Sequence, residues 1–186
     1  MTEITKTNEI IPQPLQDFIL QWGDLGAQWG VNRSVAQIQA LLYLSEKPQT
    51  AEQISEALGM ARSNVSNSLK ELQVWKLIKR VPVAGDRRDH FVAEADVWTM
   101  VTRIAEGRKE REIDPAADAL QNCIEAAAVD PRVDAHALQR LKELHDFIVM
   151  VNRFYSQMLS LPRGTLMSLI KMGNGLARFV PGKKQK

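Results

Sequence analysis

The chain has 186 residues, 45% of them hydrophobic and 25% charged, with a formal net charge of only +2. That length buries one core or two small lobes, and no apolar run approaches the roughly 18 residues of a membrane span. The single cysteine, Cys123, rules out an internal disulfide framework and suits the cytoplasm.

Residues 1–11 read as disordered and lack the basic-then-apolar layout of a secretory signal. Over 12–30, Pro12 and Pro14 introduce a helix with apolar positions Leu15, Phe18, Ile19, Trp22, Leu25 and Trp29, closed by Gly30. That stripe is wide for a short isolated helix, so it must pack on the rest of the subunit or on a partner chain.

Residues 31–95 form the next block. Ser34 is expected to cap its first helix, with Val35, Ile38, Leu41 and Leu42 inward and Pro48 as the stop. Arg33 and Ser34 then stand at a helix N-terminus, whose free amides suit a phosphate; a plain cap accounts for them equally well. Thr50 and Gln53 form a capping box, Ala51, Ile54 and Leu58 share one face, and Gly59 suits a left-handed helix end.

A second helix, 62–75, follows after Met60 and Ala61, with Val65, Leu69 and Leu72 inward. Its other face carries Arg62, Ser63, Asn64, Ser66, Asn67 and Lys70, with no acid before Glu71. Such short donor and acceptor groups fit base edges and phosphates. The period then changes to that of a two-stranded ribbon over 77–93, turning through Ala84–Asp89 with Arg87 and Arg88 at its tip and His90 on the returning strand as a surface or ribbon residue. Between Arg62 and His90, seven Lys/Arg stand against three Asp/Glu, +4 in a chain that totals +2. Positive charge is therefore concentrated where such a motif would meet nucleic acid.

ALLYLSEKPQTAEQISEALGMARSNVSNSLKELQVWKLIKRV, followed by GDRRDHFVAEADVW, resembles the winged helix-turn-helix of the MarR superfamily of bacterial regulators, and its GbsR-like branch in particular. The likeness covers at least Trp22 to Pro115. It implies that Asp86-x-Arg88 is the wing-tip pair whose arginine reaches into the minor groove, and that Ser63, Asn64, Ser66 and Asn67 face DNA. Ala61 departs from the pattern, which often has Ser as N-cap; the missing cap costs on the order of 1 kcal/mol.

Residues 96–180 read as a helical linker and dimerisation region. Asp96 caps a helix with Val97, Met100, Val101 and Ile104 on one side, and RKEREID is a solvated stretch of it. Asp114-Pro115 predicts a break or a kink, followed by a helix to about Ala128 in which Cys123 is a small apolar residue or a redox-sensing thiol. After Asp130-Pro131, the residues Leu138, Leu141, Leu144, Ile148, Val151, Tyr155 and Met158 keep an almost unbroken a/d stripe. It would line an intramolecular helix pair or, with the apolar N-terminal helix also seeking cover, a two-fold dimer held by Leu141, Leu144, Ile148, Val151 and Tyr155. His136 and His145 on this helix read as exposed or interface residues. Pro162 restarts a helix ending near Gly173 and Gly175, and 181–186 is a mobile basic tail.

The expected fold is mainly α with a small β-hairpin wing: a winged helix-turn-helix lobe plus an N- and C-terminal helical dimerisation region. No pattern for catalysis, for a cofactor or for a metal stands out, so the chain reads as no enzyme. The leading function is a sequence-specific transcription factor, a homodimeric repressor whose partners are double-stranded DNA, a second copy of itself and a small-molecule effector. The competing reading is a winged-helix protein-interaction module without DNA. The resemblance also implies that some GbsR-like proteins sense choline or glycine betaine. A quaternary ammonium is held by aromatic faces, for which Trp22, Trp29, Trp98, Phe154 and Tyr155 are the available rings; the alternative is that all five are core.

Overall fold

The computed structural model describes residues 11–176. The expectations of a disordered N-terminus, apart from Ile11, and of a mobile tail over 181–186 lie outside the described residues. The fold is mainly helical with one small antiparallel sheet, and it divides into a unit up to Arg103 and a second from Ile104.

The first unit opens with α1 (Gln13–Gln28), which packs on α2 (Arg33–Leu44). The crossing is close because Gly23 and Gly26 face it: a Cβ on Gly26 would stand 2.6 Å from the Cβ of Ala36. α2 is the hub of the unit, buried from Val35 through Leu42. Two polar side chains lie within that buried run, and one is accounted for on both sides. Gln39 accepts a hydrogen bond from Trp22 Nε1 (2.8 Å) and donates to the sulfur of Met100 (2.9 Å). Burying an amide is tolerated when it is paired in this way.

The predicted cap of α2 needs correction. Asn32, not Ser34, is the N-cap, and its side chain accepts from the Ser34 amide at 2.8 Å. Asn and Ser cap about equally well, and the helix starts one residue before Ser34. Its end also falls earlier than Pro48: Ser45 is the C-cap, its hydroxyl donating to the Leu41 carbonyl.

Strand β1 (Gln49–Thr50), absent from the sequence reading, leads into α3 (Ala51–Leu58). The Thr50–Gln53 capping box is formed, and Gly59 ends the helix at φ +63°. α4 (Arg62–Val74) follows with no side-chain cap at Ala61. It ends with Lys76 in the left-handed region (φ +57°) and the Leu77 amide donating to the Leu72 carbonyl, a helix stop that glycine usually supplies. β2 (Ile78–Val83) and β3 (Asp86–Ala93) form the hairpin, and β1 adds to the outer side of β3 through Gln49↔Phe91 and Thr50↔His90. Two residues are too few to show a period-2 pattern, which is why β1 was illegible. Ile38, Ile54, Val65 and Leu72, each from a helix of the lobe, are fully buried and close its core.

α5 (Val97–Arg108) starts where Asp96 accepts from the Thr99 amide, as expected. The chain then passes through a π turn (Lys109–Ile113) into α6 (Asp114–Val129), so Asp114-Pro115 is no break. A proline removes one amide and collides with the carbonyl four residues back; a widened turn just before it relieves both. α7 (Ala135–Ser160) packs on α6 and on the π turn, capped by Asp134. Asp114 ties them together, accepting from Lys109 Nζ (2.8 Å) and Asn152 Nδ2 (2.8 Å). α8 (Arg163–Leu176) reaches Leu176, beside Gly173 and Gly175 near which its end was expected and at the limit of the described residues.

Candidate nucleic-acid interface

α4 separates its side chains by chemistry. Val65, Ser68, Leu69 and Leu72 are buried, while Arg62, Ser63, Asn64, Ser66, Asn67 and Lys70 are all exposed. The six predicted readers thus share one open face, held rigidly by the core beneath. Two of them are engaged: Arg62 Nη2 donates to Glu52 at 2.7 Å, and Asn64 Nδ2 donates to the Ser34 hydroxyl at 2.8 Å, bringing α4 to the start of α2. Ser34 therefore supports the α4 face rather than capping its own helix. Arg33 points elsewhere, to Asp24 of α1 at 2.7 Å, and the Asn32 cap already uses one of the amides that the phosphate reading required.

The wing is a hairpin whose strands are joined by Ala84–Gly85, with Gly85 at φ +80° as such tight turns require. The register slips between Val81 and Val83, so β3 carries extra residues at Arg87–Asp89. This bulge re-aims the tip. Arg87 and Arg88 are both exposed there. Arg88 is folded back in a two-pronged contact on Asp86, Nη2 to Oδ2 at 2.6 Å and Nε to Oδ1 at 3.0 Å, while its amide donates to the same carboxylate. Charge-assisted forks of this kind are the strong hydrogen bonds. The Arg88 guanidinium holds the Asp86 carboxyl well below the usual carboxylate range, and Asp86 in turn raises Arg88.

Two further residues complete this cluster. Glu52, in the first turn of α3, accepts from Arg62 Nη2 at 2.7 Å and lies 3.5 Å from Arg88 Nη1. It therefore joins the start of α4 to the wing. His90 is not a surface residue: it is 5% exposed, with Nδ1 2.9 Å from the Arg88 carbonyl and Nε2 3.5 Å from Asp86. Its backbone stands opposite Thr50 of β1. The role of Glu52 had no local signal, because its partners are 10 and 36 positions away and only the fold brings them together. An acid in a first turn reads simply as favourable to the helix dipole.

The five rings divide between the units. Trp22 is half-buried, stacked on Phe18 with centroids 5.7 Å apart and hydrogen-bonded to Gln39. Trp98 is half-buried and Trp29 is 66% exposed. In the second unit Tyr155 is half-buried and Phe154 exposed. A cavity of about 420 Å³ also opens in the first unit, with Leu15, Ile19, Leu41 and Leu44 as its apolar wall and Glu46 and Lys47 at its rim.

Of the predicted dimer residues, Leu144 is exposed and Leu141, Ile148, Val151 and Tyr155 are half-buried. His145 is half-buried and His136 exposed. A second apolar row, missed in the sequence, runs beside Leu144 through Phe147, Met150 and Phe154, all exposed.

Residues 29–89 match the model of the MarR family. YvaV of Bacillus subtilis (strain 168) is 28% identical over 94 residues, 50% of this chain and 53% of that protein. The HTH-type transcriptional repressor GbsR of the same strain is 29% identical over 85 residues, 46% of this chain and 47% of GbsR. The matches thus span about half the length of these curated relatives. A solved transcriptional regulator superposes with a TM-score of 0.62 at 20% identity, covering 78% of this chain and 95% of the other. At that identity the likeness speaks for the fold alone.

Proposed function

Residues 29–89 give this chain a MarR-type winged helix-turn-helix of the GbsR-like kind, and from that premise we propose that it is a sequence-specific DNA-binding repressor acting as a homodimer. One observation carries the reading: the whole exposed face of α4 from Arg62 to Lys70 is free of acid and of apolar side chains, and the arginine-tipped wing stands beside it. α4 enters the major groove, where Asn64 and Asn67 read base edges, while Arg87 and Arg88 meet phosphates or the adjacent minor groove. Two copies place two such helices about one DNA turn apart, which demands a near-palindromic operator. Repression follows where that operator overlaps a promoter.

The effector in this reading is a small quaternary ammonium solute; taken unit by unit, the candidate cation-attracting rings are Trp22, Trp29 and Trp98 in the first and Phe154 and Tyr155 in the second. The competing account, an assembly module without DNA, requires an outward α4 face with exposed apolar groups. Selection of duplexes from a random library tests the proposal. Enrichment of a near-palindrome whose binding weakens steeply between 50 and 200 mM salt, as released counterions require, is the expected result. A library without enrichment overturns it. Tryptophan emission and operator affinity measured with choline and with glycine betaine test the effector separately.

A further inference from the structure

We propose that Glu52 is a positioning residue for sequence discrimination, holding Arg62 of α4 and Arg88 of the wing on one carboxylate. The inference rests on the DNA-binding reading above. Its geometry is specific: Oε1 accepts from Arg62 Nη2 at 2.7 Å, and Oε2 lies 3.5 Å from Arg88 Nη1, while Asp86 grips the other edge of the same guanidinium. Arg62 and Arg88 belong to the two elements that would touch DNA separately, and no other carboxylate among the described residues contacts both.

Two physical effects follow from this arrangement. An unbridged arginine on a surface samples many rotamers, whereas a guanidinium pinned along one edge presents its remaining N–H groups in fixed directions, as base and phosphate forks demand. Meanwhile the carboxylate itself, 43% exposed beside a polyanion, repels every duplex alike. Glu52 thereby lowers affinity for unmatched DNA and preserves the oriented contacts at a matched site. Discrimination is the difference between those two affinities. Exposed ion pairs contribute little to folding, so the Glu52 bridge acts on binding rather than on stability. Glu52 also complements the dipole of α3, but the Thr50–Gln53 capping box already closes that helix start.

The test compares full-length wild type, E52Q and E52D by fluorescence anisotropy. The probes are the duplex that wild type enriches from a random library and a shuffled duplex of the same composition, titrated from 50 to 200 mM salt. Glutamine keeps the shape and removes the charge; aspartate keeps the charge and is too short to serve both arginines. E52Q is expected to bind the shuffled duplex several-fold tighter with a steeper salt slope, because a neutralised acid lets its arginines displace more counterions. Its ratio of matched to shuffled affinity should fall about tenfold, the worth of one good base contact. E52D should leave shuffled affinity near wild type and still lose discrimination. Wild-type ratios in both variants overturn the proposal, including the case where only the melting temperature drops, which would mark Glu52 as a helix-start residue alone. Loss of discrimination in E52Q but not in E52D also overturns it, since charge without the bridge then suffices. A wild type that enriches no duplex fails at the earlier step and overturns the DNA-binding reading together with this one.

Discussion

The side-chain amide of Asn64 donates to the hydroxyl of Ser34 at 2.8 Å, so a residue on the open face of α4 is anchored to the first turn of α2, thirty positions earlier. The anchor fixes the rotamer from which Asn64 would meet a base. Asn64→Ala is therefore expected to cost about 1–3 kcal/mol at particular base pairs of a selected duplex. Ser34→Ala, which leaves Asn64 in place, should lose part of the same preference. In the double variant the losses should fall short of their sum by at least about 0.5 kcal/mol, as for groups in direct contact. Competition with singly substituted duplexes measures this, and strict additivity would mean that the anchor is incidental.

Arg88 differs in kind from Asn64, because a phosphate contact carries no sequence information. Arg88→Ala should weaken all singly substituted duplexes by similar factors, and a matched duplex more than a shuffled one, because only the matched register aligns the contact. It should also reduce the log–log salt slope by about 0.9, the share of one displaced counterion. A change confined to one base step would instead make Arg88 a base reader.

The pairing of Arg88 with Asp86 has a pH signature. Arg88 lowers the Asp86 carboxyl in the folded chain, against roughly 3.9 when unfolded. A depressed folded value contributes stability that is fully present above the unfolded value and is lost as pH falls through the folded one. The stability difference between wild type and Asp86→Asn should thus stay constant from about pH 5 to 8 and shrink below about pH 4. The pair is exposed, so added salt should narrow the difference as well. Urea titrations across that pH series decide it; a gap that persists unchanged at pH 3 removes Asp86 as the titrating group.

Assembly can be tested on the two rows of α7. Leu141, Ile148 and Tyr155 are half-buried on the side where Asn152 reaches Asp114, whereas Leu144, Phe147, Met150 and Phe154 are exposed together. Exposed apolar patches of this kind mark interaction surfaces. Phe147→Glu with Phe154→Glu should yield a folded monomer by sedimentation and weaken operator binding, because one half-site gains too few contacts. Ile148→Glu should instead lower subunit stability by roughly 2–4 kcal/mol, since it places a charge among packed groups. If the double Phe variant remains dimeric, the interface lies elsewhere, with the exposed Leu15–Trp29 row of α1 next in line.

The parts of this fold set by local pattern were legible in the sequence. The Thr50–Gln53 box, the inward Val65–Leu69–Leu72 row and the hairpin around Gly85 each rest on residues close along the chain, and each is present. What was hidden depends on distant neighbours. Glu52 meets Arg62 and Arg88 only once α3, α4 and the wing are packed. His90, on a strand paired on both sides by β1 and β2, is buried in the folded lobe. The long α7 stripe was legible as apolar, but periodicity alone does not say which of two adjacent rows faces α6. At Asp114-Pro115, where a break or a kink was expected, the chain continues as helix and the break is excluded; the π turn that accommodates the proline leaves no mark of its own in composition.

The approach of α1 to α2 supplies the last prediction. A Cβ at Gly26 would lie 2.6 Å from Ala36 Cβ, and one at Gly23 would lie 2.6 Å from Gln37 Cγ. Real Cβ atoms do not approach that closely, so something must move in each variant. Ala36 is buried and has no rotamer to change, which means the helices themselves must separate. Gln37 has a long side chain that can swing aside. Overpacking costs about 1–3 kcal/mol, against a gain of roughly 1 kcal/mol for replacing glycine by alanine within a helix. With no rotamer to relieve the clash, Gly26→Ala falls in the upper part of the overpacking range, about 2–3 kcal/mol. It should therefore destabilise by about 1–2 kcal/mol net, while Gly23→Ala should stay within about 1 kcal/mol of wild type. For a chain of this size each kcal/mol shifts the melting temperature by about 2–4 °C, so calorimetry resolves the pair. A Gly26→Ala variant as stable as wild type would mean that α1 does not sit at this distance from α2, and the Trp22–Gln39–Met100 link across it would lose its footing.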